Sequence, residues 1–452
     1  MSNLIRNATN YALAFQATDI TSASMRAAIT EWHDLYFQDK PRDGEDPCQR
    51  IPYTIVQKLT KAVFSEYEVS TGDDAFAGSI AAALAERRTE AMQMALIGGE
   101  CKLKPIPEVN GFRFVAVPRH NILVFGRDSA GNMTDIGTIE QTAHKNCYYT
   151  LLERRTVDSR GYLTIRNRLY KSYNQENLGQ AAPLSSLPQY ADLQEEYTFA
   201  KPIGSVGLIS LKTPMVNCVD GSKDSVSVYA AATGLIRNIN RNEAQLNGEF
   251  ERGESRIVVS RDMLGKDTHG NPKLKDHVFV GLDEDQETIG VNIFSPTLRD
   301  ASFLARKQEY LRNVENVIGL KRGLLSEVEA AERTATEITS SAGEYNLTII
   351  DFQRMWEETL KEAMYLCGIL GQLYRVPGAH DISEDAVSVD WGNGILYDEN
   401  KAWEDYKGMV AAGLLKPEIA LGWRFNMPTE TPEDLAAIRA KYMPEASAEE
   451  DD

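Results

Sequence analysis

Leu298-Arg-Asp-Ala-Ser-Phe-Leu-Ala-Arg-Lys-Gln-Glu-Tyr-Leu-Arg-Asn-Val-Glu-Asn-Val-Ile318 puts Leu298, Ala301, Leu304, Leu311, Val314 and Ile318 on one helical stripe. Pro296, suited to a first helical turn, opens this predicted helix, which runs to Leu320, and Gly323 is expected to end it. Upstream, Val226 to Phe250 repeats the pattern through Val228, Ala232, Ile236, Ile239, Leu246 and Phe250, with Arg237, Asn238, Asn240, Arg241, Asn242 and Glu243 opposite. Between them lie short β-runs at Ile257–Val259, His277–Val280 and Ile289–Ile293. Downstream come Leu324-Leu-Ser-Glu-Val-Glu-Ala-Ala-Glu-Arg-Thr-Ala-Thr-Glu-Ile338 and a third helix, from Tyr345 to Leu373, carrying Leu347, Ile350, Trp356, Leu360, Ala363, Cys367 and Leu370. Two long helices around a small β-insert, followed by a loop and a third helix, describe a strut and not a catalytic pocket.

The rest of the chain supplies an α+β body. Helices are predicted at Ser22–Phe37, Pro52–Phe64 and Ala75–Leu96, after which Gly98-Gly99 marks a change of period. Strands follow, including Phe112–Val117, Asn121–Phe125, Tyr148–Glu153 and Tyr162–Tyr170, with Asp128-Ser-Ala-Gly131 and Asp158-Ser-Arg-Gly161 as turns. Beyond the third helix, Ala386–Trp391 reads as a strand. Asn400–Leu415, Pro417–Phe425 and Pro432–Tyr442 read as short helices, and the acidic tail Glu445-Ala-Ser-Ala-Glu-Glu-Asp-Asp452 as disordered.

The 452 residues carry 66 acids against 48 Lys and Arg, a formal charge of −18, which argues against a protein that grips nucleic acid at many phosphates. It does not exclude a conduit, because DNA that slides must not be held tightly. Cys48, Cys101, Cys147, Cys218 and Cys367 are odd in number and lack CxxC spacing, which fits a reduced setting. The first ten residues lack a secretory pattern and no run of about 18 apolar residues occurs, so the chain is expected to be made and assembled in the cytoplasm.

Enzymatic signatures fail on inspection. Leu264-Gly-Lys-Asp267 lacks the earlier glycine and the hydroxyl of a P-loop. A calcium loop starting at Asp283 would need glycine and glutamate where Thr288 and Phe294 stand. His269 and His277 match no zinc spacing, Gly392-Asn-Gly394 lacks the third glycine of a dinucleotide loop, and neither H-E-x-x-H nor G-x-S-x-G occurs. No catalytic residue, cofactor or metal is predicted.

The order helix, β-insert, helix, loop, helix resembles the portal proteins of long-tailed phages, in particular those of siphophages of Gram-positive hosts. Arg256-Ile-Val-Val-Ser260, Arg333-Thr-Ala-Thr-Glu-Ile338 and Gly161-Tyr-Leu-Thr-Ile-Arg-Asn-Arg-Leu-Tyr-Lys171 carry the likeness, which extends from about Ile51 to Leu373. The resemblance implies a wing at 1–224, stem helices at 225–252 and 296–323, and a clip insert at 253–295. It further implies a tunnel loop at 324–343, a long helix at 344–375, a strand returning to the wing at 376–397, a helical crown at 398–444 and the tail at 445–452.

It implies a dodecameric ring at one capsid vertex that passes double-stranded DNA without sequence specificity. Its partners would be the large terminase, the head–tail adaptor, scaffold and major capsid protein, with no membrane. Another ring-forming head–tail structural protein is the alternative, and a packaging ATPase or nuclease a remoter one. Within this frame Arg306, Lys307, Arg312, Lys321 and Arg322 are candidates to face the DNA channel. Read without it, Arg306 and Arg312 would pair with Glu309 and Glu315 at i,i+3, and Lys321 and Arg322 would sit at a helix C-terminus. The tunnel loop carries Glu327, Glu329, Glu332, Arg333, Thr334, Thr336 and Glu337, an acidic excess that favours low friction over grip; its plain alternative is an ordinary connection. Arg256, Ile257, Val258, Val259, His277, Val278 and Phe279 are the candidate clip interface, since so small an insert needs neighbouring subunits to stabilise its strands.

Overall fold

The computed structural model describes residues 8–37, 47–252, 256–259, 264–266, 272–274, 291–294, 299–327, 335–383, 386–392, 399–425, 427–429 and 431–443. Helices α1 (Ala8–Phe15), α2 (Ala23–Phe37), α3 (Ile51–Val63) and α4 (Ala75–Gly98) lead into β2 (Glu100–Glu108) and β3 (Gly111–Pro118), with a short β1 (Glu68–Ser70) before α4. Gly99 makes the switch from helix to strand: it adopts φ 87°, and a Cβ there would lie 2.4 Å from the carbonyl oxygen of Ser225, so only glycine fits.

Two antiparallel sheets form the body. β10 (Ile209–Lys212), β2 and β3 make one, with Ile209 opposite Leu103. β4 (Ile122–Arg127), β5 (Met133–His144), β6 (Cys147–Val157), β7 (Leu163–Ser172) and β8 (Gln180–Ala182) make the other in that order, and β9 (Glu196–Thr198) also pairs with β7. Asp158 builds one of its turns by accepting the amide of Tyr162 at 2.9 Å, with Gly161 at φ 86°. The strand β5 and the helix α1 were not anticipated. They meet at Gly137, where an added Cβ would come within 2.7 Å of the Phe15 ring, so a glycine inside a strand here marks close approach and not a break.

The strut consists of α5 (Thr233–Arg252) and α6 (Asp300–Ile318), followed by the long helix α7 (Ala335–Tyr374). α5 begins later than the expected Val226, because the residues before it are held by other parts of the chain. Val228 N and Ser227 Oγ both donate to Leu96 O at 3.0 Å, and Thr213 Oγ1 donates to Val226 O at 2.6 Å. α6 ends at Gly319 and not at Gly323: Gly319 is left-handed at φ 76°, and Leu320 N bonds back to Glu315 O at 2.8 Å. α7 begins at Ala335, ten residues before the expected Tyr345, so Thr336 and Glu337 lie on helix instead of loop.

One large core joins α2, α3, α4, β2, β10, α5, α6 and α7 around Trp32, Trp356, Ile239 and Val314. α7 is tied to the smaller sheet where Ser210 N donates to Glu362 Oε2 at 2.7 Å and Thr359 Oγ1 donates to Ser210 O at 3.0 Å. β15 (Ser388–Asp390) pairs antiparallel with β1. Helices α8 (Glu399–Ala411), α9 (Pro417–Arg424) and α10 (Pro432–Tyr442) pack on one another through the Tyr406–Trp423 and Phe425–Tyr442 stacks and the ion pair between Arg439 and the buried Glu418. Among the described residues no helix is long and apolar enough to cross a membrane, and no group of three or more His, Cys, Asp or Glu is placed to hold a metal ion.

A pH-sensitive tie fastens the start of α4 to the turn after α7. Asp74 caps α4 by accepting Phe76 N at 3.0 Å and Ala77 N at 2.9 Å, and His380 Nε2 meets its other oxygen at 2.9 Å. The Gly378 carbonyl and then the Asp74 carboxylate raise the His380 pKa, while the Ala77 amide above all lowers that of Asp74. The His380 contribution is therefore complete below about pH 6.5 and lost as pH rises through its raised value. That of Asp74 is complete above about pH 4 and lost as pH falls through its lowered one. Elsewhere burial lowers the pKa of His33 to about 4 and that of His120 well below its usual value, and both shifts withdraw stability as pH falls below about 6.5. The tie must therefore be read as a difference: His380→Ala lowers the melting temperature relative to wild type more at pH 6 than at pH 8.5. Equal differences at both pH values would show that the tie does not titrate.

Candidate functional site

The hairpin of α5 and α6 is antiparallel and held by specific polar contacts as well as by Ile236, Ile239, Leu246, Leu311, Val314 and Ile318, which are all buried. Asn242 Nδ2 donates to Phe303 O at 2.9 Å, and Arg299 reaches Glu249 with two bonds of 3.0 and 2.8 Å. The apolar stripe outruns the core. Phe250 and Leu304 remain 48% and 50% exposed, and Ala301 is also exposed although the helical period assigned all three to the buried face.

The five basic candidates separate by environment. Lys307 is half-buried and donates to Glu243 Oε2 at 2.8 Å and Gln49 Oε1 at 3.1 Å, so it fastens the hairpin and is withdrawn from the set available to a passing phosphate. Arg306 is exposed and lies over the Tyr310 ring at 4.7 Å, at a groove of about 570 Å³ shared with Asn238, Arg241, Gln245 and Arg299. It does not pair with Glu309. Arg312 is half-buried beside a second hollow of about 380 Å³ that Asn313, Asn316 and Arg322 also line, and its Nε has no hydrogen-bond partner among the described residues. Lys321 and Arg322 are exposed just beyond α6. Gly319 N and Leu320 N bond back to the carbonyls of Asn316 and Glu315, so the turn after α6 closes on the backbone itself.

Glu315 has a role the i,i+3 spacing did not reveal. It is buried, does not pair with Arg312, and accepts hydrogen bonds from Gly323 N, Leu325 N, Ser326 N and Ser326 Oγ. Of the expected tunnel loop, Glu327 is exposed and its amide donates to Gln308 Oε1 at 2.8 Å. Glu329, Glu332, Arg333 and Thr334 lie outside the described residues.

In the insert, Arg256, Ile257, Val258 and Val259 form β11 (Arg256–Val259), paired antiparallel with β14 (Val291–Phe294) so that Ile257 faces Ile293 across the ladder. β12 (Leu264–Lys266) and β13 (Pro272–Leu274) form a second hairpin. His269, His277, Val278 and Phe279 lie outside the described residues, as does the acidic turn from Asp283 to Glu287.

No curated protein matches the chain in sequence. The fold is similar to that of a chain in the neck of a native gene transfer agent particle computed with C12 symmetry, at 11% identity and TM-score 0.46, over 94% of this chain and 99% of that one. It is also similar to a chain in the virion of a native gene transfer agent particle, at 11% identity and TM-score 0.45, over 93% and 99%. The family described as phage portal protein, SPP1 Gp6-like, matches residues 119–445, which include the larger sheet, β10 of the smaller one, the strut, α7 and the three terminal helices; the chain belongs to that family of phage portal proteins.

Proposed function

We propose that copies of this chain form a closed ring of twelve at one capsid vertex, a structural conduit for DNA packaging and ejection with no catalytic residue of its own. The observation that carries the reading is the strut. Its apolar stripe is buried where α7 and the body cover it and exposed at Ala301, Leu304 and Phe250, where the described residues offer little cover. A stripe of that kind along a helical hairpin fits closure against copies of itself.

In this reading residues 1–224 are the wing, α5 and α6 the stem, the paired β11 and β14 part of the clip, and α8 to α10 the crown. Arg306, Lys321 and Arg322 are the stem cations best placed by exposure to make sparse phosphate contacts that a moving duplex can make and break. The large terminase and later the head–tail adaptor would meet the clip, and scaffold and major capsid protein the wing. Assembly would take place in the host cytoplasm, and the mature site is the virion.

Class averages of the purified protein should show rings with a central opening, at a mass near twelve times 50.4 kDa. A well-folded preparation that stays at 50.4 kDa at micromolar concentration, with scaffold and capsid protein added, would overturn the ring.

A further inference from the structure

The segment that leaves the stem is fastened by one buried carboxylate. Glu315, 1% exposed, lies on the last turn of α6, and after the left-handed Gly319 the chain doubles back across it. One carboxylate oxygen accepts Leu325 N and Ser326 N, the latter at 2.9 Å; the other accepts Gly323 N at 3.2 Å and Ser326 Oγ at 2.7 Å. Lys58 Nζ of α3 donates to Leu324 O, and Gln308 takes the amide of Glu327. From the other direction, Thr348 Oγ1 of α7 donates to Gly319 O at 3.2 Å. Both flanks of the span between Glu327 and Thr348 are thus bound to α6, one at Gln308 and Glu315 and the other at Gly319 just past its last turn.

We propose that Glu315 is a positioning residue: it pins Gly323–Ser326 to the stem and so sets the point from which the following segment departs. The chemistry favours a carboxylate. Only a group that accepts at both oxygens and donates at neither can satisfy backbone amides converging from several directions, and charge-assisted bonds of this kind are about twice as strong as neutral ones. A surface ion pair would not need such burial. The consequence for DNA rests on the proposed tunnel reading of the segment beyond Glu327; the pin itself does not.

The test uses the full-length, assembled protein. Glu315→Gln keeps the shape but turns one accepting oxygen into a donor facing Gly323 N, and Glu315→Ala removes every bond. Amide hydrogen exchange at Gly323, Leu325 and Ser326 should accelerate roughly ten- to a hundredfold in Glu315→Ala and by less in Glu315→Gln, while amides of α6 between Leu311 and Ile318 and of α7 beyond Ile350 keep their wild-type rates. Ser326→Ala, which removes a single donor, should give the smallest change and serves if Glu315→Ala does not fold.

Unchanged exchange at Gly323 in a folded Glu315→Gln protein, or at Leu325 and Ser326 in a folded Glu315→Ala protein, would overturn the pin. So would acceleration spread evenly over the whole chain, since Glu315 would then be an ordinary stabilising residue. Nuclease-protected DNA in proheads carrying the same variants separates the two ideas. A local loosening with reduced packaging supports both, whereas a local loosening with normal packaging upholds the pin and removes the channel role of the segment it positions.

Discussion

Asp224→Ala should destabilise the fold by about 3–5 kcal/mol, because it strands a buried arginine. Arg119 is 0% exposed; its Nη2 donates to Asp224 Oδ1 at 3.1 Å and to Thr21 Oγ1 at 3.3 Å, and its Nη1 donates to Ile122 O at 2.9 Å. Arg127 shares the same carboxylate oxygen at 2.6 Å, and Arg26 stands close by, bonded to Asp19 at 2.6 Å. Burial first, and then the charge of Arg119, lowers the Arg26 pKa to about 10, a sign of how crowded with cations this junction is. Removing Asp224 takes away the carboxylate bonded to both Arg119 and Arg127, while Asp19 stays with Arg26.

The damage would reach the strut, because Asp224 lies three residues before Ser227, where the chain docks on the end of α4 on its way into α5. Asp224→Asn, which keeps an accepting oxygen but not the charge, should fall between wild type and Asp224→Ala. Glu108→Ala, at an exposed pair with Arg113, should stay within about 0.5 kcal/mol. Urea midpoints at one fixed protein concentration make the comparison, since assembly itself adds stability. A cost below about 1 kcal/mol for Asp224→Ala would mean that Arg119 finds another partner and that the junction does not depend on this ion cluster.

The strut was legible because helical periodicity is a property of the local chain: Ile236, Ile239, Leu311, Val314 and Ile318 fall 3 or 4 residues apart whatever covers them. Its ends were not. Gly319 and Gly323 are both plausible stops, and the choice follows from the turn that lets Glu315 meet the returning chain, with Thr348 bonded to Gly319 O from a helix far along the sequence. The stretch before Thr233 has apolar spacing fit for a helix, yet Leu96 O and Thr213 claim its hydrogen-bonding groups and hold it out of the helix. Helix α7 extends back to Ala335 in keeping with the Ala and Glu content of Ala335-Thr-Glu-Ile338, a propensity the expectation of a loop overrode.

Within the candidate site, residue type identified the cations but not their surroundings. Lys307 and Arg306 are neighbours in sequence, and only the fold separates a half-buried lysine fixed to Glu243 from an exposed arginine over Tyr310. Glu315 shows the same limit more sharply. Spacing proposed Arg312 as its partner, whereas its actual partners arrive 8 to 11 residues later, from a turn whose return path no local pattern encodes.

Replacing Glu327, Glu329 and Glu332 together with lysine should cut DNA packaging sharply and make what remains depend on salt. Between Leu324 and Ile338 the wild-type chain has Glu327, Glu329, Glu332 and Glu337 against Arg333 alone. Repeated around the proposed ring, that excess would present like charge to phosphates, so a duplex would be guided sterically and held at few points. Lysines reverse the sign. Three new phosphate contacts give an affinity that falls roughly fortyfold between 50 and 200 mM salt, so translocation should be slow at the lower concentration and recover toward wild type at the higher. The matching glutamine triple removes repulsion without adding contacts and should package at close to the wild-type rate at both. None of the three changes touches the backbone bond from Glu327 N to Gln308, so the departure point of the segment stays fixed while its charge alone varies. Nuclease-protected DNA per prohead, measured at both salt concentrations for rings of equal number, reads the effect. If the lysine triple packaged a full genome at 50 mM salt as fast as wild type, this segment would not face the DNA, and the channel constriction would have to be sought among the exposed stem cations instead.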